Sequence, residues 1–507
     1  MRYSLLIFFT LLYPMITMAQ TIPKESSAYN YRIIPFTFEP NKPNNLTIEI
    51  ARGTYYNDDS FSKNIILAKH TDLTSLTLEV PNFNSNYTWR AYSTMGNVID
   101  PDKYIFHHFK VLPAIGLDTN EVRIRVVQKS EQFKDAYVFV DYNQAMYDME
   151  GKLVWFLPLK ADSNNNKPTI RDMKLTPQGT ITYVIDDRGL FEVNINGDTL
   201  WKGPNNNHRD DNIIGNGHHE FTRLKNGHYM ALCQNFALWK DAKEGDTIIN
   251  YIKPQDIDSG KEYPGYNRTP MATLAEYDAK GHLVWSWKSS DYLNKSNLFY
   301  RKAGEKAMNM TAHENSFFFD EQKKCIYISA RNLNRVLKIS YPAGKILAVY
   351  GNNNSIPGMP SATDADLFCG QHSVKVGQKG NLYLYNNNTC RSGATPTIIV
   401  MKEPVKKNSQ PEKIWEFSCP ESANTSKGYL SGGNVQELPD GSFFVSMAYP
   451  DSKLFIVNKN KEVLWTAIAE RYNKDSKTWD NENLYRASII TNKKDFEKLV
   501  WNAAIRK

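Results

Sequence analysis

Beyond about residue 126 one unit recurs along the chain, and it dictates what the chain can fold into. Each unit ends in a hairpin with an acidic or Asn turn, a Gly or Lys, and often a Trp. MYDMEGKLVWFLPL runs from Met146, FEVNINGDTLWKG from Phe191 and AEYDAKGHLVWSWK from Ala275. LKISYPAGKILAVYG from Leu337 and LFIVNKNKEVLWTAI from Leu454 are looser copies, and PEKIWEFS at Pro411 is the tail of another. Hairpins of a second kind lie between them: MKLTPQGTITYVID, FTRLKNGHYMALC, SFFFDEQKKCIYIS, SVKVGQKGNLYLY and VQELPDGSFFVSMA. Strand, turn, strand, strand, turn, strand is the sequence form of a four-stranded propeller blade. Five inner hairpins, with the partial unit AYVFVDYN at Ala136, predict six blades, with five or seven as the neighbouring counts. A string of unrelated sandwiches would not explain why the same turn and Trp return.

The expected architecture is therefore all-β, a six-bladed β-propeller over 126–507. Before it, alternating segments at Arg32 to Phe38, Leu46 to Ala51 and Leu76 to Val80, broken by Asn, Pro and Asp clusters, predict a small N-terminal β-sandwich domain and linker over 20–125. The first residues, MRYSLLIFFTLLYPMITMAQ, carry Arg2, an apolar run and small residues before Gln20. They read as a signal peptide over 1–19, and hence as a periplasmic or secreted chain with no membrane span after cleavage. The chain carries 61 basic against 54 acidic residues, a net +7 without any Lys/Arg block, so no nucleic-acid partner is expected. Five cysteines are too few for a disulfide scaffold. Cys369 and Cys390 flank one hairpin and could face each other across it; Cys233 and Cys325 lie inside apolar strands and read as core thiols.

Chemistry enters with the histidines. Three of only ten stand at the same point of the unit, just before an inner hairpin: His219, His313 and His372. In a propeller the inner strands line one channel, so equivalent positions converge. Arg331 closes the hairpin that follows His313 and so returns to the same end. A guanidinium beside imidazoles suits a tetrahedral oxyanion, since its donors match two oxygens of a sulfate or phosphate at once. One histidine can then attack the central atom while its neighbours hold the charge. Three histidines are also a common zinc set, but neither His219-Glu220 nor His313-Glu314 continues as HExxH, because Arg223 and Phe317 hold the fifth position. No metal site and no cofactor is expected. There is no Walker loop, no Rossmann fingerprint and no CxPxR sulfatase signature. Long insertions at Lys202 to Gly217, Lys240 to Pro270 and Asn294 to Met308 fall near the histidines and read as a rim or lid. The Asn runs, Asn386 to Asn388 among them, read as turns.

At these residues the sequence resembles the bacterial aryl-sulfate sulfotransferases, over most of its length. GHHEFTRLKNGHYMAL is similar to that family's HEF motif and aligns His219, rather than His218, with the functional histidine. TAHENSFFFDEQKKCIYISAR resembles its HxNS segment and maps His313, Asn315 and Arg331. GQHSVKVGQKGNLYLYNNN is similar to its QH segment and places the nucleophile at His372, while GGNVQELPDGSFFVS resembles its final NV hairpin, with Asn434 near the rim. The resemblance implies a ping-pong transfer, independent of the nucleotide sulfate donor, from a phenolic sulfate donor to a phenolic acceptor. His372 would carry the sulfuryl group as sulfohistidine, and Arg331, His219 and His313 would bind its oxygens. Asn315 and Asn434 would contact substrate, and a homodimer is implied as a possible assembly. The family's disulfide loop shortly before the nucleophile is absent or rearranged here, since Cys369 is the only cysteine in that place. Two other readings stand beside this one: a non-catalytic propeller that binds a glycan or protein partner, with the three histidines and Arg331 dispersed, and a metal-dependent propeller hydrolase or lyase.

Overall fold

In the computed structural model the described residues are 22–37, 46–93, 104–114, 117–118, 120–159, 168–185, 189–204, 217–240, 251–252, 261–291, 312–351, 367–391, 394–406, 409–420 and 432–505. The expected signal peptide lies outside them, as does most of the three insertions. The chain forms two compact units that divide between Pro113 and Ala114, ahead of the expected 125/126 boundary. The reason is the strand Val122–Gln128, which pairs antiparallel with Val463–Asn473 near the chain's end and so belongs to the second unit.

The first unit holds a five-stranded sheet and a two-stranded sheet, Ile33–Thr37 with Ser75–Glu79. Phe36 of the smaller sheet stands edge-on to Trp89 and Phe109 of the larger, with ring centroids 5.1 and 6.2 Å apart. These aromatics supply much of the apolar area that holds the two layers together.

The second unit is propeller-like. Among the described residues it contains six antiparallel sheets of four or more strands. The first strands of the second to sixth sheets are Ile170–Leu175, Gly217–Arg223, Glu314–Asp320, His372–Val376 and Asn434–Glu437, each opening one of the predicted inner hairpins. The first sheet borrows its inner strand from the far end of the chain: Ala487–Ile490 pairs with Tyr137–Val140, in the partial unit at Ala136. Each inner strand touches the inner strand of the next sheet, and the sixth returns to the first.

Apolar cores lie between neighbouring sheets. One joins Val184, Leu190 and Trp201 of the second sheet to Phe221 and Tyr229 of the third, and another joins Phe444, Leu454 and Trp465 of the sixth to Val138, Val140 and Tyr147 of the first. The recurring Trp now has a physical reason. Trp155 donates its indole N–H to the Ile195 carbonyl of the next sheet's outer turn, Trp285 to Pro342, Trp415 to Lys459 and Trp465 to Met149. A side chain that fills the gap between sheets and hydrogen bonds the neighbour's turn fixes their spacing, and the Trp465 bond closes the circuit from sixth sheet to first. The helix Lys493–Ile505 buries Phe496, Leu499, Val500 and Ala503, a helical stripe. It clasps the turn of the second sheet through Lys498 to the Pro177 carbonyl and Asn502 to the Gln178 carbonyl. Among the described residues no helix is long and apolar enough to cross a membrane.

Candidate active site

All the inner strands run in the same sense, so their N-terminal ends meet at one end of the unit. Four of those ends carry a non-glycine residue in the left-handed region: Asp172 (φ 56°), His219 (φ 57°), His313 (φ 51°) and Ser373 (φ 55°). At each, the pairing register with the next strand shifts, between Arg171 and Lys174, Gly217 and Phe221, Glu314 and Ser316, and His372 and Lys375. A bulge of this kind re-aims a side chain, and left-handed non-glycine residues persist where the surrounding structure holds them.

The result is a cavity of about 400 Å³ walled by His219, His313, His372, Arg171 and Tyr485, with Tyr142 and Tyr449 among its aromatics. The His219 and His313 rings are 5.3 Å apart, and Tyr485 stands 5.9 Å from His219 and 6.4 Å from His372. The Arg171 guanidinium lies 4.6 Å from the Tyr485 ring centre. The three predicted histidines are thus brought together, and His219 rather than His218 is the one in the wall. Arg331 lies outside the wall, but its charge bears on His313 and His372, and its backbone N–H donates to the His313 carbonyl at 3.2 Å.

A larger cavity of about 730 Å³ lies toward the C-terminal halves of the same strands and contains none of the histidines. It is the smaller one that gathers groups able to do chemistry. Between the two sits a buried ionic floor. Arg486 donates to Asp172 (3.1 Å) and to the carbonyls of His219 (3.2 Å) and Asn315 (2.6 Å); Lys174 pairs with Asp172 (2.7 Å), and Lys375 with Glu220. Burial raises the Glu220 carboxyl, but the fields of Lys375, Lys174 and Arg486 outweigh it and hold the group down to about 2.

His372 is fully buried and held on three sides. Its Nδ1 lies 3.2 Å from the Gly370 carbonyl and 2.9 Å from Asn387 Nδ2, and the Gly432 N–H donates to its Nε2 at 3.2 Å. A donor at Nε2 and a carbonyl at Nδ1 select the Nδ1–H tautomer, so the lone pair is on Nε2. Asn387 Nδ2 gives its two hydrogens to the Gly370 and Gly432 carbonyls, which ties both flanking loops together and leaves none for His372 Nδ1. Cys369 and Cys390 form a disulfide with Cα atoms 6.0 Å apart, so the crosslink spans the hairpin that carries His372. Cys233 and Cys325 are buried free thiols, as expected, and so is Cys419.

Burial pushes every histidine here toward the neutral form. It takes His372 well below its usual value, with Arg331, His313 and Arg486 adding to the effect, and His219 likewise, with His218 and His313 adding. His313 falls to about 3 through burial and then Arg331, and His218 to about 4 through burial. His218, His219 and His313 keep some solvent contact while His372 has almost none, so the effect is firmest at His372. Burial pushes the Tyr485 phenol up, which keeps it a donor, and its Oη finds no partner among the described residues. A buried hydroxyl without a partner in a cavity wall is one that a ligand can satisfy. Among the described residues no group of three or more His, Cys, Asp or Glu is placed to hold a metal ion.

The profile of the family described as Arylsulfotransferase (ASST) matches residues 123–488. The chain belongs to the arylsulfotransferase family. Membership supports arylsulfotransferase activity in general, acting on small molecules. A search of curated protein sequences gives no match. Similar solved structures include a protein of unknown function from Bacteroides caccae, at 11% identity and a TM-score of 0.39, covering 73% of this chain and 100% of that one. Another is the periplasmic gluconolactonase of Pseudomonas aeruginosa, at 9% identity and a TM-score of 0.36, covering 73% of this chain and 99% of that one.

Two predicted residues sit elsewhere. Asn315 is buried with its amide donating to the Gln371 carbonyl at 2.8 Å, beside His372 rather than in the wall. Asn434 exchanges both amide bonds with the backbone of Ala487 and faces the larger cavity. Both act on backbone. Arg171, Tyr485 and Asn387 are the residues that sequence reasoning missed. Arg171 was within reach: it stands two residues before the hairpin MKLTPQGTITYVID, close to where His219 stands before FTRLKNGHYMALC.

Proposed function

We propose that this arylsulfotransferase moves a sulfuryl group from a phenolic sulfate ester to a phenol by a ping-pong route through sulfohistidine at His372, without a nucleotide donor. The six sheets are read as the six blades of a propeller and the first unit as its N-terminal sandwich. Export to the periplasm or beyond is part of the same proposal, on the reading of residues 1–19 as a signal peptide, and so is a homodimeric assembly.

The observation that carries this reading is the convergence of three neutral imidazoles on one cavity, with the His372 lone pair on Nε2. His372 Nε2 attacks sulfur, the bond from sulfur to the aryl oxygen breaks, and the phenolate departs. Attack releases the Gly432 N–H from Nε2 and leaves it beside the sulfuryl oxygens as a donor. Arg331, Arg171, His313 and Tyr485 Oη add positive charge and donors where negative charge grows. The second phenol then attacks sulfur from solution, the N–S bond breaks, and its proton passes to a histidine base, a role worth ~10²–10⁴-fold. A non-catalytic binding propeller would leave the three histidines and Arg331 dispersed; the convergence of the histidines supports the catalytic reading, while Arg331 stands outside the wall.

The test is incubation of the chain with a chromogenic aryl sulfate, with and without a phenol, followed by intact-mass analysis. A rate that rises with acceptor, together with a sulfuryl adduct that is lost in His372→Asn, supports the reading, and a chelator should leave that rate unchanged. Phenol release indifferent to acceptor points to a hydrolase. Normal turnover in His372→Asn removes His372 as the nucleophile.

A further inference from the structure

His219 does not stand alone at its bulge. The preceding residue, His218, turns its ring edge-on to that of His219, with centroids 4.8 Å apart and planes at 87°, and brings its Nδ1 to 2.7 Å from His219 Nδ1. Two ring nitrogens at that separation share one proton, so one ring donates and the other accepts. Which one does so is set on the far side of His218. That ring also hydrogen bonds the backbone of Cys233, in the sense that favours a proton on the ring, which is the sense of an N–H donating to a carbonyl. With Nδ1 engaged by His219, the donor to Cys233 is Nε2. A neutral His218 then has only a lone pair left at Nδ1, and the shared proton belongs to His219 Nδ1.

We infer that His218 is a positioning residue that fixes His219 as the proton acceptor of the cavity: His219 Nδ1–H is held by His218 Nδ1, so His219 Nε2 presents a lone pair to the acceptor phenol. His218 lies outside the cavity wall while His219 lies in it, so Nε2 is the nitrogen left to face the substrate. The assignment rests on the sulfuryl-transfer reading above and deepens it, since it separates His219 from His313 by role.

The step balances. The phenol oxygen bonds to sulfur, the bond from sulfur to His372 Nε2 breaks with its electron pair returning to that nitrogen, and the phenolic proton passes to His219 Nε2. His219 becomes an imidazolium, and its bond to His218 Nδ1 becomes charge-assisted and stronger at the moment charge appears. The proton then passes to solvent, or to the phenolate of a poorly acidic donor in the next half-reaction; para-nitrophenolate is a weak base and leaves without it. The other groups bearing on His219 are His313, Arg171 and Arg486, with the Tyr485 ring against it. Glu220, next in the chain, is committed to Lys375, Lys174 and Arg486, which leaves His218 as the group able to support a protonated His219.

The experiment uses the full chain and the variants His218→Ala and His218→Asn, the second keeping a carbonyl that can accept the His219 proton. Nitrogen NMR of the histidine rings reads the tautomer without any turnover. Rapid mixing with para-nitrophenyl sulfate reads the donor half, and mixing the sulfated enzyme with phenols of graded acidity reads the acceptor half. The wild type should show His219 protonated at Nδ1. In His218→Ala the ratio of acceptor-half to donor-half rate should fall by roughly 10²-fold, in the range of general base catalysis, most steeply for the least acidic phenols, and His218→Asn should recover most of it. A proton on His219 Nε2 in the wild type overturns the inference, and so does an equal slowing of both halves in His218→Ala. If the wild type forms no sulfated enzyme at all, the transfer reading fails by itself, while the tautomer still judges the histidine pair.

Discussion

Acid should destabilise this fold through His372 more than through an ordinary histidine, and the size of the effect can be worked out. In the unfolded chain His372 titrates near its ordinary value of 6.5; folded, burial followed by Arg331, His313 and Arg486 holds it neutral far below that. The stability that comes from keeping it neutral is therefore fully present above 6.5 and is lost as pH falls from there toward the folded value. Each unit below 6.5 is about 1.4 kcal/mol, so lowering the pH from about 7.5 to about 5 should cost about 2 kcal/mol at this one residue. His372→Asn removes the titration. The perturbation is thus a double one, pH and substitution, and the quantity of interest is the difference of differences, in which every other titrating group cancels. Urea denaturation of both proteins at the two pH values supplies it. The variant should lose about 2 kcal/mol less than the wild type over that interval. Parallel losses, within about 0.5 kcal/mol, would mean that His372 takes up a proton in the folded state as readily as in the unfolded one. His372 would then not be held neutral by the fold.

Three further outcomes follow from contacts already described. Opening the Cys369–Cys390 crosslink, by reductant or by the paired Ser substitutions, frees a loop of sequence separation 21 and should cost about 3 kcal/mol in denaturation midpoint analysis. Gly433→Ala puts a Cβ into the Tyr385 ring at a φ of 86° and should cost about 3 kcal/mol, visible as a lowered melting temperature. Glu220→Gln leaves Lys375, Lys174 and Arg486 with one carboxylate among them and should cost about 3–5 kcal/mol by calorimetry.

Much of the second unit was legible because its hairpins carry their own turn chemistry. Each inner hairpin holds a local pattern of alternation and a turn, and each opened where the sequence placed it. The histidines were legible for the same reason, as residues at a fixed offset from a local signal. What escaped depended on distance along the chain. Ala487–Ile490 is four residues long with no turn of its own, and its partner, Tyr137–Val140, lies at the opposite end of the unit, so Tyr485 and Arg486 beside it carried no sign of their role. Asn387 looked like a turn residue. Its amide reaches the Gly370 and Gly432 carbonyls, and no sequence pattern reports which loops a turn will touch. For Asn315 and Asn434, proximity to a motif says nothing about the direction of a side chain, and both amides turn to backbone carbonyls.

The closing strand has one more consequence, for how the molecule comes into being. Synthesis delivers Tyr137–Val140 long before Ala487–Ile490, so the first sheet stands with a bare edge while about 350 residues are made (487 − 140 = 347), and contacts of such long range form slowly. Tyr485 and Arg486 arrive on the same short stretch. The pairing that shuts the ring therefore completes the cavity as well, and a chain cut short before residue 485 would hold every histidine yet lack Tyr485 from the wall around them.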